Sequence, residues 1–472
     1  MANRELAHRL FQCIAVSSRP LRVEELAEIL TFDFRADPIP KLREDWRSED
    51  PIEAVLSIST TLLSLVNVEN SQVVQFSHFS VKEFLMSARL AENHNIISRR
   101  YHISSTPAHT LVVQACLGTL LHLDKKVTRD TLKTFPLAEY AARHWFEHAQ
   151  FEVSYDLGEG IQQLFDRTKP YLAIWLWIHD PVAPSWTPPH GRVERPPPPR
   201  GTPLHYAAFC GLHNILNALA IEQSQDVHSQ RFDDRLTPLH LASKEGHLGV
   251  ARILIEHGAD AAAKDNLGST PLHRASESGY VELARFLVEH GADAAAKDQG
   301  GWTPLHRASA AGHVELARLL LEHGADTAAK DLVGSTPLHW ASMGHPELAQ
   351  FLVEHGADAA AKDAVGRTPL HMASSAGHVE LARFLVEHGA DVAGKDSVGS
   401  TPLHRASLGG HVELARFLVD HGADVVAQDL DGLTPRHRAS ECGHLELTRF
   451  LVEHGGNTPA EDKKGLQQPT TT

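Results

Sequence analysis

The feature that most constrains this chain is a text of about 33 residues that returns, lightly edited, to near the C-terminus. One copy reads Gly268-Ser-Thr-Pro-Leu-His273-Arg-Ala-Ser-Glu-Ser-Gly279-Tyr-Val-Glu-Leu-Ala-Arg-Phe-Leu-Val-Glu-His290-Gly-Ala-Asp293. Thr-Pro pairs open the copies at Thr202, Thr237, Thr270, Thr303, Thr336, Thr368, Thr401 and Thr434, in steps of 35, 33, 33, 33, 32, 33 and 33 residues. Each copy carries its own folding signals. The threonine caps a first helix, and the proline sits in the first turn, where its missing N–H costs nothing. Gly279 ends that helix and Gly291 ends a second one. In the second helix Val281, Ala284, Leu287 and Val288 are expected to form the buried stripe, with Glu282, Arg285 and Glu289 on the wet side. One such unit cannot cover its own apolar face, so the copies must stack into a quasi-one-dimensional solenoid. The predicted class is mainly α. The divergent first copy and the last, where Arg436 replaces the leucine, are expected to be caps.

A period near 33 with T-P-L-H-x-A is the text of the ankyrin repeat, and residues 201–460 resemble ankyrin-repeat proteins. The resemblance implies a β-hairpin and two antiparallel helices per repeat, with hairpin tips and first helices lining a concave groove where partners bind. It also implies that the T-P-L-His histidines (His273, His306, His339) bond to the main chain of an adjoining hairpin. Comparing the copies with one another separates constant from edited slots. The edits fall at the hairpin tip and just before Thr (Leu267/Ser269, Trp302, Arg367), directly after the T-P-L-H histidine (Arg274, Arg307, Trp340, Met372, Arg405, Arg438), and late in helix one (Glu277-Ser278, Met343, Leu408). The exposed helix-two slots scarcely vary. Aromatic, Met and Arg side chains are the types enriched at protein interfaces. Arg274, Trp302, Arg307, Trp340, Met343, Arg367, Met372, Arg405 and Arg438 are therefore the expected groove residues. They describe an apolar centre for a protein or peptide partner with acidic flanks. One copy, through Trp340-Ala-Ser-Met343-Gly-His-Pro346, is a residue short, and a local change in stacking angle is expected there.

At 472 residues the chain is too long for one core. Residues 5–30 read as two helices, residues 52–65 as a third, and 65–68 with 73–76 as a β-hairpin, the order of a winged helix. Residues 76–85, Phe-Ser-His78-Phe-Ser-Val-Lys-Glu-Phe-Leu, come directly after it. This text, with Leu137-Ala-Glu-Tyr-Ala-Ala-Arg-His-Trp145 and Trp175-Leu-Trp-Ile178, resembles fungal NACHT–ankyrin proteins of the STAND class of signalling receptors. The resemblance implies a winged-helix region (1–95) and a helical spacer (96–180) of the kind that lies between the ATPase and the repeats, and this chain begins after the place of that ATPase. It implies a separate NACHT-type ATPase as a partner. It also makes His78 a candidate nucleotide sensor; the competing reading is a core histidine. Eight prolines in residues 181–200 favour a polyproline II linker, read as the domain boundary, with an SH3- or WW-type ligand as the alternative. Residues 461–472 read as a disordered tail.

A formal net charge of −15 argues against a general nucleic-acid binder, and Glu24, Glu25 and Glu28 leave the second helix without a basic reading face. Four scattered cysteines suit a reducing compartment. No apolar run approaches the ~20 residues that span a bilayer. The expected address is the cytosol, with the nucleus compatible. Two motifs imitate chemistry. Gly389 to Asp396 matches a P-loop except at the magnesium-binding hydroxyl, where Asp396 would repel phosphate. His144-Trp-Phe-Glu147-His148 spells H-x-x-E-H, the inverted zinc-hydrolase text, and is expected to be an amphipathic helix face around Trp145. The function expected is therefore non-catalytic, without cofactor or metal: the spacer and ligand-recognition half of a STAND-like receptor. A zinc hydrolase at 144–148 and a stand-alone adaptor are the alternatives.

Overall fold

The computed structural model describes residues 2–34, 39–58, 61–68, 71–92, 101–151, 157–182 and 194–455. Most of the proline-rich stretch and the tail beyond 460 lie outside these residues. The chain divides into two compact units, Met1–Asp233 and Asp234–Thr472.

The first unit opens with α1 (Ala2–Val16), β1 (Leu21–Arg22), α2 (Val23–Ile29), β2 (Phe32–Asp33), β3 (Lys41–Leu42), α3 (Pro51–Leu56), β4 (Leu63–Val68), β5 (Ser71–Phe76) and α4 (Phe79–Leu85). The predicted hairpin is present as β4 and β5, in the register Leu65 opposite Val74. β1 adds a third antiparallel strand in the order β1-β5-β4, with Leu21 also opposite Val74. Two residues carry no period, so this strand has no signal in the sequence. Leu10, Cys13, Leu26, Val55 and Val74 are buried, and Phe11 meets Phe76 at 5.9 Å between ring centroids.

Two of the three acidic residues of α2 face inward. Glu25 is fully buried, accepts from the Arg22 backbone N–H at 2.7 Å and pairs with Arg19 and Arg22. Glu28 accepts from the Leu137 backbone N–H at 2.6 Å and from Arg47 at 2.7 Å. α2 is thereby fastened to the helix that starts at Ala138. α3, which precedes the wing, carries Glu53 and no lysine or arginine.

The spacer is built from helices Ser105–His122, Ala138–Ala149, Gly158–Phe165 and Tyr171–Ile178. Its core is aromatic. Trp145 and Trp175 meet edge-on at 5.3 Å, and the Trp175 indole donates to the Ala142 carbonyl at 2.8 Å. The divergent first repeat belongs to this unit: Tyr206 packs edge-on against Trp175 at 6.1 Å, and Phe209 against Phe146 at 6.2 Å. Aromatic residues at these two slots suit the repeat to the spacer. The unit boundary accordingly falls at Asp233/Asp234, one repeat beyond the prolines.

The second unit is the solenoid. Its seven helix pairs are Pro238–Glu245/Leu248–Glu256, Pro271–Ser278/Val281–Glu289, Pro304–Ala311/Val314–Glu322, Pro337–Gly344/Pro346–Glu354, Pro369–Ala376/Val379–Glu387, Pro402–Gly409/Val412–Asp420 and Pro435–Glu441/Leu445–Glu453. The buried stripe of helix two is Leu283, Ala284, Phe286 and Leu287, while Val281 and Val288 are only half-buried. Ala284 and Leu287 belong to both, and the true stripe is turned about a quarter turn from the expected one, toward Leu283 and Phe286. Each buried leucine contributes about 1.5–3 kcal/mol of transfer free energy, and every repeat repeats the set.

The one-residue deletion is absorbed in a single turn. Other copies end helix one on a left-handed glycine such as Gly312, φ 83°. Here His345, at φ −134°, takes that place, and its N–H still reaches the Ala341 carbonyl at 2.8 Å. The hairpin-to-hairpin bonds on either side, Leu332 N–H to Gly300 O and Ala364 N–H to Val333 O, are both 2.9 Å. The expected disturbance therefore does not reach the hydrogen-bond ladder.

Candidate interaction surface

In each repeat a threonine and a histidine build the base of the surface. The Thr270 N–H lies 3.1 Å and its hydroxyl 2.9 Å from His273 Nδ1, both donating to it. Nδ1 is thus an acceptor, which leaves the proton on Nε2. Nε2–H donates to the next hairpin: His240 to Ser269 O, His273 to Trp302 O, His306 to Ser335 O, His339 to Arg367 O, His371 to Ser400 O and His404 to Leu433 O, at 3.0–3.2 Å. The expected histidine ring is present. Burial pushes His240 and His273 down to about 4 and lowers His306, His339, His371 and His404. In the last repeat Arg436 lies 3.1 Å from His437 Nε2, on the side where other repeats meet a following hairpin.

The hairpins from residue 265 on are organised by an aspartate that comparison of the copies does not single out, because it is the same in all six of them. Asp298 Oδ1 accepts from the Gly300 and Trp302 backbone N–H groups at 2.8 and 2.9 Å. Its other oxygen accepts from Arg307 at 2.8 Å. The edited slots turn out to supply this second donor. Arg274 bonds Asp265, Arg405 bonds Asp396 and Arg438 bonds Asp429. In the repeat with Trp340 the indole N–H serves Asp331 at 3.0 Å. In the repeat with Met372 the neighbouring Arg367 takes over, its Nε donating to Asp363 at 2.8 Å. Burial raises Asp429, but Arg438 and two backbone N–H groups prevail and hold it below the usual carboxylate range.

These arginines are therefore ion-paired within their own repeats, and the field expected to attract acidic flanks is largely cancelled. Met372, expected in the groove, is buried at 8% exposure. Trp302 and Trp340 do come together, with centroids 4.6 Å apart and planes at 46°, and Arg307 lies over the Trp302 ring at 4.8 Å. On the hairpin tips and helix-one ends of the solenoid Leu332 is 77% and Met343 52% exposed, and Leu267, Val333, Val365, Val398, Leu408 and Leu430 are exposed too.

The imitated chemistries dissolve into structure. Lys395 donates to the Gln428 carbonyl at 2.9 Å, one step of a lysine staircase that Lys297 and Lys330 also build. Asp396 holds its hairpin and pairs with Arg405. His148 is buried, with Nδ1 2.7 Å from His109 Nδ1 and Nε2 2.9 Å from the Tyr140 hydroxyl, so both of its nitrogens are engaged. His144 turns to Glu147 at 3.0 Å, and Glu147 accepts from Ser18. Among the described residues no group of three or more His, Cys, Asp or Glu could hold a metal ion, and no helix is long and apolar enough to cross a membrane. His78 is not a core histidine. It is exposed and caps α4, with Nδ1 accepting from the Ser80 N–H at 3.2 Å.

The comparisons with known proteins match this geometry. Ankyrin repeats (3 copies) match residues 204–298, 292–363 and 356–429, and a single ankyrin repeat matches 431–463. The chain belongs to the ankyrin-repeat proteins. Its residues 1–97 match the winged helix domain of GPI inositol-deacylase. Among its relatives is the azaphilone pigments biosynthesis cluster protein L of Monascus ruber, 28% identical over 53% of this chain and 55% of that protein. Others are alpha-latrocrustotoxin-Lt1a of Latrodectus tredecimguttatus, 39% identical over 13% of this chain and 4% of that protein, and mouse ankyrin repeat domain-containing protein 13B, 39% identical over 14% and 11%. The chain thus spans about half the length of the first of these and a small part of the others. Its ankyrin repeats support a protein-interaction scaffold.

Proposed function

We infer that this ankyrin-repeat protein is a non-catalytic scaffold that binds a protein or peptide partner on the hairpin and first-helix side of residues 267–438, anchored at Trp302, Trp340 and Met343. The observation that supports the reading is the half-buried tryptophan pair set among exposed apolar hairpin tips, on the side where the copies differ. The arginines frame this centre, but each is neutralised by its own aspartate, so the anchor is apolar. A photoreactive residue at position 343, compared with one at Glu322 on helix two, tests the reading. Crosslinks to the partner should form from 343 and not from 322; equal yields from both would sink it.

A finer reading is favoured by α4, whose Phe79 is 68% and Phe84 52% exposed. These exposed rings, beside the exposed His78, suit docking of a separate NACHT-type ATPase, with the chain acting as the spacer and recognition half of a STAND-like receptor. Phe79→Ser with Phe84→Ser should abolish co-elution with such an ATPase; undiminished co-elution would remove this part of the proposal.

A further inference from the structure

If the tryptophan pair anchors a partner, as proposed above, the polar groups around it also select the chemistry of that partner. The indole N–H of Trp340 is used by Asp331. Trp302 is bonded through its backbone N–H and carbonyl, and its indole N–H has no acceptor among the described residues. Several acceptors beside the pair, by contrast, are taken. Asp298, Asp331 and Asp363 each receive two backbone N–H groups and at least one side-chain donor. The carbonyls of Gly300, Trp302, Val333 and Ser335 accept from Leu332, His273, Ala364 and His306 of neighbouring repeats. Arg307 already stacks on Trp302, which disfavours an incoming cation there.

The site thus offers aromatic surface and a free N–H donor, with these aspartates and carbonyls already paired. An extended peptide of ordinary residues would press N–H groups against it without partners, at a desolvation cost. A proline-rich segment has apolar rings and free carbonyls but no N–H at its prolines. It also holds the polyproline II conformation before binding, so little order is lost on docking. We propose that the Trp302–Trp340 pair binds a proline-rich segment of a partner protein in the polyproline II conformation. Proline rings lie against the indoles, and one peptide carbonyl accepts the Trp302 N–H. The exposed Leu332, Val333 and Val365 continue the apolar track.

The test is titration of the full chain, labelled with ¹⁵N-tryptophan, with an acetylated and amidated eight-proline peptide, a leucine-rich amphipathic helical peptide and a trimethyl-lysine peptide. The chain has seven tryptophans, and Trp302→Ser assigns the Trp302 indole signal. Trp302→Ser and Trp340→Arg install what sibling repeats carry at those slots (Ser269, Ser335 and Ser400; Arg274 and Arg405), so both variants keep the fold. The proline peptide should shift the Trp302 signal. Each substitution should weaken its binding about thirty-fold, as for an anchor worth about 2 kcal/mol. Trp302→Phe, which keeps a ring and removes the N–H, should give an intermediate loss. Binding of the helical or trimethyl-lysine peptide alone at these tryptophans would overturn the polyproline assignment and leave the groove reading standing. Proline-peptide binding untouched by both substitutions would overturn the site, and no response to any peptide would overturn the proposal.

Discussion

Acidification should unfold the solenoid through its histidine rungs. His240, His273, His306, His339, His371 and His404 are each at most 2% exposed and neutral, with Nδ1 accepting a threonine N–H and Nε2–H donating to the next repeat. A proton on Nδ1 would turn that acceptor into a donor facing another donor. Burial dominates the lowered affinity for the proton. For His273, Asp298 favours the charged form, while Arg307 and Arg274 oppose it. The folded values lie below the unfolded 6.5, so between 6.5 and about 4 the unfolded chain binds more protons and stability falls as pH falls. His240 and His273, both held at about 4, together give a slope approaching about 3 kcal/mol per pH unit near pH 5, at about 1.4 kcal/mol per proton, and the other four lowered sites add to it in the same direction. His240 and His273 alone, moved to about 4, account for about 3 kcal/mol each. The assay is urea unfolding from pH 7.5 to 4.5, followed by hydrogen exchange in peptides from residues 237–441 so that the histidines of the first unit do not contribute. His273→Gln should remove close to one proton from the slope, about 1.4 kcal/mol per pH unit. A total slope below about 2 kcal/mol per pH unit, or an unchanged slope in His273→Gln, would refute the argument.

The aspartate rule gives a second set of outcomes. Trp340→Ala leaves one oxygen of buried Asp331 without its donor and should cost about 1–3 kcal/mol in thermal or urea unfolding, whereas Trp340→Arg should stay within about 0.5 kcal/mol of the parent. Arg367→Ser should destabilise by a similar 1–3 kcal/mol, and adding Met372→Arg should restore most of it. A double-mutant cycle showing additive losses would break the rule. Gly312→Ala places a Cβ against the His345 ring at φ 83°, and should lower stability by more than about 1 kcal/mol. Glu28→Ala strips Arg47 and the Leu137 N–H of a shared buried acceptor; a loss of about 3 kcal/mol or more is expected in unfolding of the first unit.

The solenoid is legible in the sequence because every device that builds it is local. Thr270-Pro-Leu-His273 encodes a cap, a first turn, a core side chain and a rung within four residues, and repetition makes the signal unmistakable. The winged helix is legible only where it is periodic: β4 and β5 alternate, while β1 is two residues long and exists because β5 offers an edge. The burial of Glu25 and Glu28 is invisible there because a lone helix of that text puts its acids in water. Only Arg19, Arg47 and the start of the helix at Ala138, brought together by the fold, make burial tolerable.

The edited slots teach a different lesson. Arg274, Arg307, Arg405 and Arg438 look like a cationic frame when the copies are compared slot by slot, because their partner is an invariant aspartate nine residues earlier. A constant residue carries no variation to notice. Yet the text does contain the clue. Arg367 stands before threonine in the one copy whose helix-one slot is Met372, a compensating exchange between two positions within one repeat. Trp340 is the other exception, and it keeps the donor by using an indole. Variation at these slots is thus bounded by a requirement for one N–H donor per aspartate, and the freedom left over lies in what surrounds the donor. Only where the donor is an indole, next to a second indole before Thr303, does the surface gain aromatic area together with a spare N–H. That coincidence, and not the row of arginines, is what the proposed partner site in the middle of the solenoid rests on.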